Sequence, residues 1–499
     1  MAKKVTVIGA GTAGLAAGIR LLKNGYEVDI CERLPQAGGK MNQIKEQGFT
    51  FDVGPTIVMM PDIYREIFEY TGRNPQDYIP MKRLDPMYVL TFPDGEQQRV
   101  SSELTELTGM LEAISPEDTL GYFNYLADVY KRYLVAKDEF IDKSFRDRGD
   151  FYNLKSLANA MKLKTFDDAY TSISKFVKNE NLRKALAFQT LYIGISPYQG
   201  PSIYTIIPMI ELLYGVWYMP GGMYNMAESM VRLFEELGGT LRLDTPVDCI
   251  DIENGRAVGV HIGDTVESPD YIVCSADFPY AMKSLVHNKE AKGKYTDDKI
   301  DELEYSCSCF LLYLGLDKKI PNLAVHNIRF GGDFDQNVRE IFETYTLPED
   351  PSIYLYLPSK VDPSMAPEGC EALYVLVPVS ELSKGNILWD NRTIKAYREK
   401  ILDKLSAIPG LEDIESHIVF EKSLTPLDFQ DTFHAYKGAT FGLKPTLFQS
   451  NYFRPHNKAD HCEGLYFCGS SVHPGAGVPI VLTSAKLAVD ELLKDDGLL

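Results

Sequence analysis

The N-terminal stretch "KKVTVIGAGTAGLAAGIRLLKNGYEVDICER" constrains the fold of this chain more than any other segment. A β-branched run from Val5 to Ile8 predicts a strand, and Gly9, Gly11 and Gly14 follow it in GxGxxG spacing. An Ala- and Leu-rich helix comes next, and then a second predicted strand, Glu27 to Cys31. A glycine loop between a strand and a helix is typical of a Rossmann-type dinucleotide site.

The glycines and the residue after the second strand have separate predicted roles. The glycines allow a tight turn, a close approach of backbone to pyrophosphate, and close packing of helix on strand. Glu32 comes eighteen residues after Gly14, close to where such folds place the carboxylate that accepts the ribose hydroxyls. The stretch does not resemble a signal peptide, because glycines interrupt its apolar run and Arg20 and Lys23 close it.

Composition excludes several classes of function. A chain of 499 residues exceeds one hydrophobic core, so two or three lobes are expected. Its eight cysteines show no CxxC spacing, which predicts neither a metal site nor a disulfide framework and favours a reducing compartment. A net charge of −19 argues against nucleic acid as a partner. It also argues against general attraction to anionic lipid, so any membrane contact should be apolar and local.

The chain has no repeats and no low-complexity linker, which predicts interleaved lobes. Residues from about 100 to 190 have helical periodicity, and Asn254-Gly255 predicts a hairpin. Between 300 and 425 the runs "CFLLYLGL", "SIYLYLP" and "ALYVLVPV" predict strands of a sheet that lines a cavity. Near the C-terminus the loop "PGAG" leads into a predicted amphipathic helix, Val478 to Leu493. Such a helix start can bind anions and carbonyl oxygens.

A second apolar segment, Ser202 to Met219, is long enough to raise the question of a membrane span. Glu211 argues against spanning, since an acidic residue at the bilayer centre costs roughly 2.5–3.5 kcal/mol, and Pro208 would kink the helix. A buried tunnel wall or a segment that enters one leaflet is the favoured interpretation, with an ordinary core helix as the alternative.

Six stretches together resemble the bacterial carotenoid (phytoene) desaturases: "VIGAGTAGLAAGIRL", "FTFDVGPTIVMMPD", "LAFQTLYIGISPYQGPSIYTIIPMIE", "GGMYNMAE", "FGLKPTLFQSNYFRPHN" and "YFCGSSVHPGAGVPIVLTSAK". The resemblance runs essentially end to end and is closest to the branch that acts on thirty-carbon precursors (diapophytoene, also called dehydrosqualene). It implies an α/β, amine-oxidase-like flavoprotein fold with a discontinuous Rossmann-type FAD-binding domain at 1–95, 215–285 and 435–499. A mixed-sheet substrate domain would be inserted at 286–434. Residues 96–214 would form a helical lobe that contacts substrate and membrane.

The resemblance also implies which residues bind FAD. In this family the late glycine loop and helix start approach the flavin from the C-terminal side, so the helix near Val478 would direct its dipole at the O2/N1 edge of the ring. Lys40 stands where relatives often carry Arg, so it would meet a phosphate as a point charge and not as a bidentate fork. The full implied set is Gly9, Ala10, Gly11, Thr12, Ala13, Gly14, Glu32, Arg33, Gly39, Lys40, Met41, Gly54, Pro55, Thr56, Val247, Gly469, Ser470, Gly477 and Val478.

The catalytic residues are not indicated by any motif. The sequence contains no recognisable Ser/His/Asp set or carboxylate pair, and Glu211, His473 and Arg454 are candidates, each with a structural role as the alternative. The implied reaction moves a hydride to flavin N5 and a proton from the neighbouring carbon. Since the polyene itself stabilises the allylic cation, the protein would mainly position a long isoprenoid and exclude water.

Alternative functions stay open at this point. A related oxidase converts a terminal methyl of a thirty-carbon carotenoid to an aldehyde, a forty-carbon phytoene desaturase shares the chemistry, and escort proteins of similar fold hold isoprenoids without catalysis. A substrate that dissolves only in lipid predicts a peripheral protein on the cytoplasmic side of the cell membrane. Neither the electron acceptor nor the oligomeric state is indicated.

Overall fold

The computed structural model describes residues 2–146, 148–156, 163 and 167–499. Its strands are β1 Lys4–Ile8, β2 Glu27–Cys31, β3 Gln43–Glu46, β4 Phe49–Asp52, β5 Lys82–Arg83, β6 Tyr88–Thr91, β7 Gln97–Val100, β8 Trp217–Tyr218, β9 Thr240–Arg242, β10 Cys249–Glu253, β11 Arg256–Ile262, β12 Thr265–Glu267, β13 Tyr271–Cys274, β14 Ser308–Leu316, β15 His326–Arg329, β16 Ile353–Tyr356, β17 Glu371–Val379, β18 Ile418–Leu424 and β19 Leu465–Phe467.

The α-helices of the described part alternate with these strands at the two ends of the chain and cluster between residues 100 and 214. They are α1 Thr12–Lys23, α2 Pro61–Tyr70, α3 Leu104–Ile114, α4 Pro116–Ala136, α5 Arg148–Phe151, α6 Ala169–Ser174, α7 Glu180–Ala187, α8 Ile206–Tyr214, α9 Tyr224–Glu236, α10 Phe278–Tyr280, α11 Lys289–Lys292, α12 Asp297–Glu302, α13 Phe334–Arg339, α14 Asn391–Ser406, α15 Pro426–Phe433 and α16 Val478–Asp495.

The predicted N-terminal unit belongs to a five-stranded parallel sheet with the order β19-β13-β1-β2-β9. Strands from the start, the middle and the end of the chain therefore lie side by side in one sheet. Helix α1 is buried from Thr12 to Leu21, because α9 and α16 pack against it and share its core. Small residues along α1 allow this close packing.

A three-stranded antiparallel sheet, β10-β11-β12, follows α9 in the chain. The turn between β10 and β11 is made by Asn254 (φ 50°) and Gly255 (φ 75°), and two positive φ values in a two-residue loop fit a tight hairpin turn. The predicted hairpin is confirmed.

A seven-stranded mixed sheet, with the order β18-β14-β17-β16-β15-β6-β7, contains the three predicted strand runs. Its centre is apolar, and all nine residues of β14 are buried. Strand β6 joins this sheet through parallel pairing with β15, and β7 pairs with β6. The predicted boundary at residue 95 therefore cuts a hairpin of this sheet, because long-range pairing recruits residues 88–100 to it.

The apolar segment Ser202 to Met219 forms a short 3-10 turn, Ser202–Thr205, followed by α8 and β8. Pro208 lies in the first turn of α8, where a helix tolerates proline, and the α-helix does not extend to the N-terminal side of Ile206. Among the described helices, none is both long and apolar enough to cross a bilayer. The helical prediction for 157–162 and 164–166 lies outside the described residues.

Candidate active site

One cavity of about 590 Å³ lies between the parallel sheet and the seven-stranded sheet. The carboxyl ends of four strands of the parallel sheet lie at this cavity. The residues that follow these strands and line the cavity are Gly9, Glu32, Ser275 and Gly469. Open α/β sheets bind ligands at the carboxyl ends of their strands, so the cavity lies where the sequence predicts a dinucleotide.

Nearly all residues that the resemblance assigns to FAD line this one cavity. Those lining it are Gly9, Gly11, Thr12, Ala13, Glu32, Arg33, Gly39, Lys40, Met41, Gly54, Pro55, Thr56, Val247, Gly469, Ser470, Gly477 and Val478. The two others, Ala10 and Gly14, lie behind the loop: Ala10 donates its N–H to Glu32, and Gly14 packs on Gly9.

The glycine loop forms a cradle whose residues have distinct steric roles. Gly9 has a φ of +95°, a conformation that favours glycine. A Cβ on Gly14 would lie 1.9 Å from the Gly9 carbonyl oxygen, so Gly14 is needed for packing of helix on strand. A Cβ on Gly11 would meet only the Gly39 Cα, at 4.0 Å, so the open space here lies on the cavity side. The cradle therefore fits a pyrophosphate group close to the backbone.

Glu32 is held in place by the backbone around it. One carboxylate oxygen accepts the Ala10 N–H at 2.7 Å and the other accepts the Leu34 N–H at 2.8 Å. Each oxygen keeps a further acceptor position. The carboxylate is therefore oriented to accept the two hydroxyls of a ribose.

Helices α1 and α16 both begin at the cavity. Their N-caps are Gly11 and Gly477, and neither helix has a side-chain cap or an acidic residue in its first turn among the described residues. The first N–H groups of both helices are thus left to a ligand, and the positive ends of both dipoles favour negative charge. The resemblance assigns the start of α1 to the pyrophosphate and the start of α16 to the flavin ring, and both positions at the cavity are compatible with that prediction.

Lys40 and Asp277 are two further charged side chains that line the cavity. Lys40 donates to the Thr440 carbonyl oxygen at 2.8 Å, and burial lowers the pKa of its ammonium, an effect that the nearby Asp277 charge opposes. Asp277 accepts the Tyr436 N–H at 3.0 Å and the hydroxyl of Ser471. A phosphate ligand would further favour the charged form of Lys40.

The remaining wall of the cavity is apolar. Phe330 meets Phe188 and Phe334 edge-on, with ring centroids 5.6 Å apart in both pairs. Apolar and aromatic residues of the seven-stranded sheet and of neighbouring helices complete this wall: Leu191, Tyr192, Leu311, Ile328, Ile353, Tyr354, Tyr374, Leu376, Phe429, Phe433 and Phe441. This wall suits a hydrocarbon ligand beside the bound dinucleotide.

Glu211, a catalytic candidate from the sequence, lies outside the cavity wall. Its carboxyl is fully buried and accepts hydrogen bonds from the Tyr88 hydroxyl (2.8 Å) and the Gln189 amide (2.6 Å). Burial raises the pKa of Glu211 to about 8. The residue thus joins α8 to β6 of the seven-stranded sheet.

His473 and Arg454 also lie behind the cavity wall. His473 is buried edge-on against Phe145, its Nε2 lies 2.9 Å from the Lys143 carbonyl oxygen, and burial lowers the pKa of its imidazole to about 3. The Arg454 guanidinium donates to backbone carbonyls of residues 443, 449, 470 and 472, and burial lowers its pKa to about 10. Both residues hold the loop that leads to α16.

Sequence reasoning missed several polar groups of the cavity. Tyr354 and Tyr374 line it from β16 and β17, and Thr440 accepts the hydrogen bond from Lys40. The alternating tyrosines of "SIYLYLP" were the available signal, since alternate residues of a strand point to one face. Nothing local in the sequence indicates which face meets the cavity.

One group of metal-ligating side chains lies away from the cavity, on β10 and β11. Ligand atoms of Cys249, Asp251 and His261 lie within 4.8 Å of one another. His261 Nε2 is 2.7 Å from an Asp251 carboxylate oxygen, and this hydrogen bond accounts for their closeness. The group therefore gives no reason to propose a bound metal.

Comparisons of sequence show what this chain resembles. The family described as "Flavin containing amine oxidoreductase" matches residues 12–493. The chain is 47% identical over 497 residues to the 4,4'-diapophytoene desaturase (4,4'-diaponeurosporene-forming) of Staphylococcus aureus strain Newman, covering 99% of each chain. The protein of the same name from strain USA300 matches with the same identity and coverage.

Comparisons of structure show the same fold at low sequence identity. An oxidoreductase from Methanosarcina mazei superposes with a TM-score of 0.63 at 16% identity, covering 98% of this chain and 100% of that one. Putrescine oxidase bound to putrescine superposes with a TM-score of 0.61 at 13% identity, covering 100% of this chain and 99% of that one. Both matches extend over the whole arrangement of sheets.

Proposed function

The chain belongs to the family of flavin-containing amine oxidoreductases, and on that basis we propose that it is an FAD-dependent desaturase of a thirty-carbon carotenoid precursor. The proposed reaction converts 4,4'-diapophytoene to 4,4'-diaponeurosporene, the product printed in the name of the 47% identical relatives. The observation that carries the proposal is a cavity in which a dinucleotide cradle continues into an aromatic, hydrocarbon-like wall.

The chain's own residues supply binding, orientation and exclusion of water. Bound FAD supplies a two-electron acceptor that takes a hydride at N5. Gly11 and the start of α1 would hold its pyrophosphate, Glu32 its ribose, and the start of α16 the edge of its ring system. The aromatic wall would hold the isoprenoid with its reacting carbons beside the cradle, where proximity and dryness favour an allylic cation that the polyene stabilises.

Co-expression with a dehydrosqualene synthase tests the reaction directly. We expect a yellow, conjugated hydrocarbon in cells that carry both proteins and colourless precursor in cells that carry the synthase alone. An aldehyde as the main product would favour a terminal-methyl oxidase. Purified protein without the yellow absorbance of flavin would favour an isoprenoid escort.

We propose a preference for the thirty-carbon substrate over forty-carbon phytoene, and not an exclusion of phytoene. Apolar contacts discriminate weakly, by about 1–3 kcal/mol for each mismatched methylene in a closed pocket and by less in an open one. With both precursors at equal concentration in liposomes, turnover of diapophytoene should be the higher. Equal or inverted turnover contradicts the preference.

We also propose that the protein lies on the cytoplasmic side of the cell membrane as a peripheral protein. A cluster of aromatic rings supports this: Tyr152 contacts Tyr452, and Phe448 contacts Phe453, while Phe151 joins the two pairs. Phe448 is 74% exposed and Tyr152 is 61% exposed. Exposed apolar groups that are contiguous mark interaction surfaces, and this one, here called the aromatic patch, would contact lipid.

A further inference from the structure

The proposed desaturation requires a proton acceptor, and the cavity contains one hydroxyl that is connected to a buried base. Tyr354 Oη lies 2.7 Å from His326 Nδ1 and 2.6 Å from Thr56 Oγ1. Tyr354 and Thr56 line the cavity, whereas His326 lies behind the wall and is 1% exposed. These three groups form a short hydrogen-bonded chain from the cavity to an imidazole.

The strand register brings this chain together. His326 on β15 pairs with Tyr356 on β16, and Tyr354 lies two residues earlier on the same face. The imidazole stacks on both rings, with centroids 5.0 Å from Tyr356 and 6.0 Å from Tyr354. Its other nitrogen, Nε2, has no hydrogen-bond partner within the described part of the chain. The ring is thus fixed by packing and by the hydroxyl of Tyr354.

The position of the hydroxyl suits the reaction. Gly54 packs so closely on Lys40 that a Cβ there would lie 2.3 Å from the Lys40 carbonyl oxygen, so the segment from Gly54 to Thr56 adjoins the cradle. Because Tyr354 Oη contacts Thr56, it lies where the aromatic wall meets the cradle. A hydrocarbon that reaches toward a dinucleotide in the cradle passes this hydroxyl.

We propose that Tyr354 is the catalytic residue that accepts the proton in the proposed desaturation and that His326 is the positioning residue that receives the phenol proton. The inference rests on the proposed function. After a hydride has left one allylic carbon, the C–H bond of its neighbour breaks and its electron pair becomes the new π bond. The released proton goes to Tyr354 Oη as the phenol proton moves to His326 Nδ1.

The pKa values of Tyr354 and His326 fit a pair that holds the proton only briefly. Burial raises the pKa of the Tyr354 phenol, so a lasting phenolate is disfavoured. Burial lowers the pKa of His326 to about 3, so the imidazole is a weak base at neutral pH. An allylic cation is acidic enough to protonate a weak base. The buried imidazolium then readily returns its proton through Tyr354 to water that enters as product leaves.

Among the other ionisable groups that line the cavity, the carboxylates of Glu32 and Asp277 are held by hydrogen bonds at its dinucleotide end. Both oxygens of Glu32 accept backbone N–H groups. Asp277 is held by Ser471 and the Tyr436 N–H. The Tyr374 hydroxyl donates to the Gly54 carbonyl oxygen at 3.3 Å, and among the described residues it has no hydrogen bond to a histidine or a carboxylate. The Tyr354 hydroxyl therefore faces the apolar part of the cavity and is hydrogen-bonded to the buried imidazole of His326. Asp277 is the alternative proton acceptor, and the experiment must distinguish it from Tyr354.

The experiment uses holoenzyme in liposomes and diapophytoene carrying deuterium only at the carbons that lose protons. Single-turnover rates are measured for wild type, Tyr354→Phe, His326→Gln, Asp277→Asn and the matched control Tyr356→Phe. Tyr356 lies on the same strand and stacks on the same imidazole, but it does not line the cavity. Flavin content verifies that each variant is folded.

We expect Tyr354→Phe and His326→Gln to slow the reaction by about 10²-fold, the lower end of the range for general acid–base catalysis. Both should also gain a deuterium effect at the proton-losing carbon that wild type and Tyr356→Phe lack, because proton loss becomes rate-limiting. A merely structural defect would lower the rate without this change. Wild-type rate and isotope insensitivity in Tyr354→Phe would overturn the relay, and so would a deuterium effect confined to Asp277→Asn. Absence of any desaturation by wild type would overturn the proposed function and the relay together.

Discussion

At the scale of single residues, a substitution at Gly11 tests cofactor binding without disturbing the fold. A Cβ at this position meets no protein atom closer than 4.0 Å, so Gly11→Val should fold and place its methyl groups where the pyrophosphate would lie. We expect the purified variant to lose its flavin absorbance. The matched control is Gly109→Val on α3, where a Cβ also meets nothing within 4 Å and full flavin content is expected.

Gly14→Val provides the contrast. Its Cβ would lie 1.9 Å from the Gly9 carbonyl oxygen, so this variant should unfold or aggregate and not merely lose its cofactor. A folded Gly11→Val protein with full flavin content would contradict the assignment of the cradle.

Glu211 gives a residue-scale prediction about pH. Burial raises the pKa of this carboxyl from 4.5 to about 8 in the folded protein, so the folded state retains a proton that the unfolded state releases. The contribution of Glu211 to the unfolding free energy therefore falls as pH rises between these two values. Its size is on the order of a few kcal/mol, since one pKa unit corresponds to about 1.4 kcal/mol.

Glu211→Gln removes this titration while it keeps a polar group for Tyr88 and Gln189. Relative to wild type, the thermal midpoint of the variant should rise as pH increases from 4.5 to 8 and level off above that. Glu302→Gln, on the exposed surface of α12, is the matched control for the removal of a carboxylate charge. A constant difference between Glu211→Gln and wild type across this range would contradict the shifted pKa.

At the scale of secondary-structure elements, local sequence patterns predict the strands and helices themselves better than they predict which elements pair with one another. The runs at β1, β2, β14, β16 and β17 and the C-terminal helix are confirmed, because apolar periodicity and glycine loops act over a few residues. The parallel pairing of β6 with β15 joins residues more than two hundred positions apart, and no local pattern encodes it. The predicted boundary at residue 95 fails for this reason.

In the candidate site, too, features set by local sequence could be predicted and features set by long-range pairing could not. Residues on the glycine loops at the ends of β1 and β19 could be assigned from motifs, because their backbone conformation demands particular residue types. Tyr354 and His326 could not, since their roles depend on cross-strand register between β15 and β16. The same holds for Glu211 and Arg454, whose burial away from the cavity follows from packing between lobes.

The loop before α16 supports an element-scale prediction about Arg454. Its guanidinium donates to four backbone carbonyls, two of which belong to residues 470 and 472 beside the cavity. Arg454→Lys offers a compact ammonium that cannot reach all four, and each buried hydrogen bond to a charged group contributes about 1.5–3 kcal/mol. We expect a lower thermal midpoint and weaker FAD binding, measured as flavin released on dilution.

Arg73→Lys is the matched control for Arg454→Lys. Arg73 forms an exposed ion pair with Glu236 at 3.4 Å, and exposed pairs contribute about 0–1 kcal/mol. Its thermal midpoint and flavin retention should stay close to wild type. Equal behaviour of the two variants would show that Arg454 does not fix the loop.

At the scale of the whole molecule, the net charge and the exposed apolar surface lead to opposite expectations for membrane binding. A net charge of −19 repels anionic lipid, whereas the aromatic patch favours insertion into any bilayer surface. Seven of the large apolar residues that are exposed, Leu104, Leu120, Tyr130, Leu134, Tyr152, Leu154 and Leu213, also belong to the region 96–214. The patch and this region would therefore face the lipid that contains the substrate.

The last prediction concerns flotation of the holoprotein with vesicles. Binding to neutral phosphatidylcholine vesicles should survive high salt, because apolar contact is not screened, and anionic vesicles should bind less protein at low salt than at high salt. Phe448→Asp should reduce binding to neutral vesicles. Leu388→Asp is its matched control, since Leu388 is 75% exposed beside α14, away from the patch, against 74% for Phe448. Release by salt alone, or equal losses in the two variants, would contradict a membrane contact through the aromatic patch.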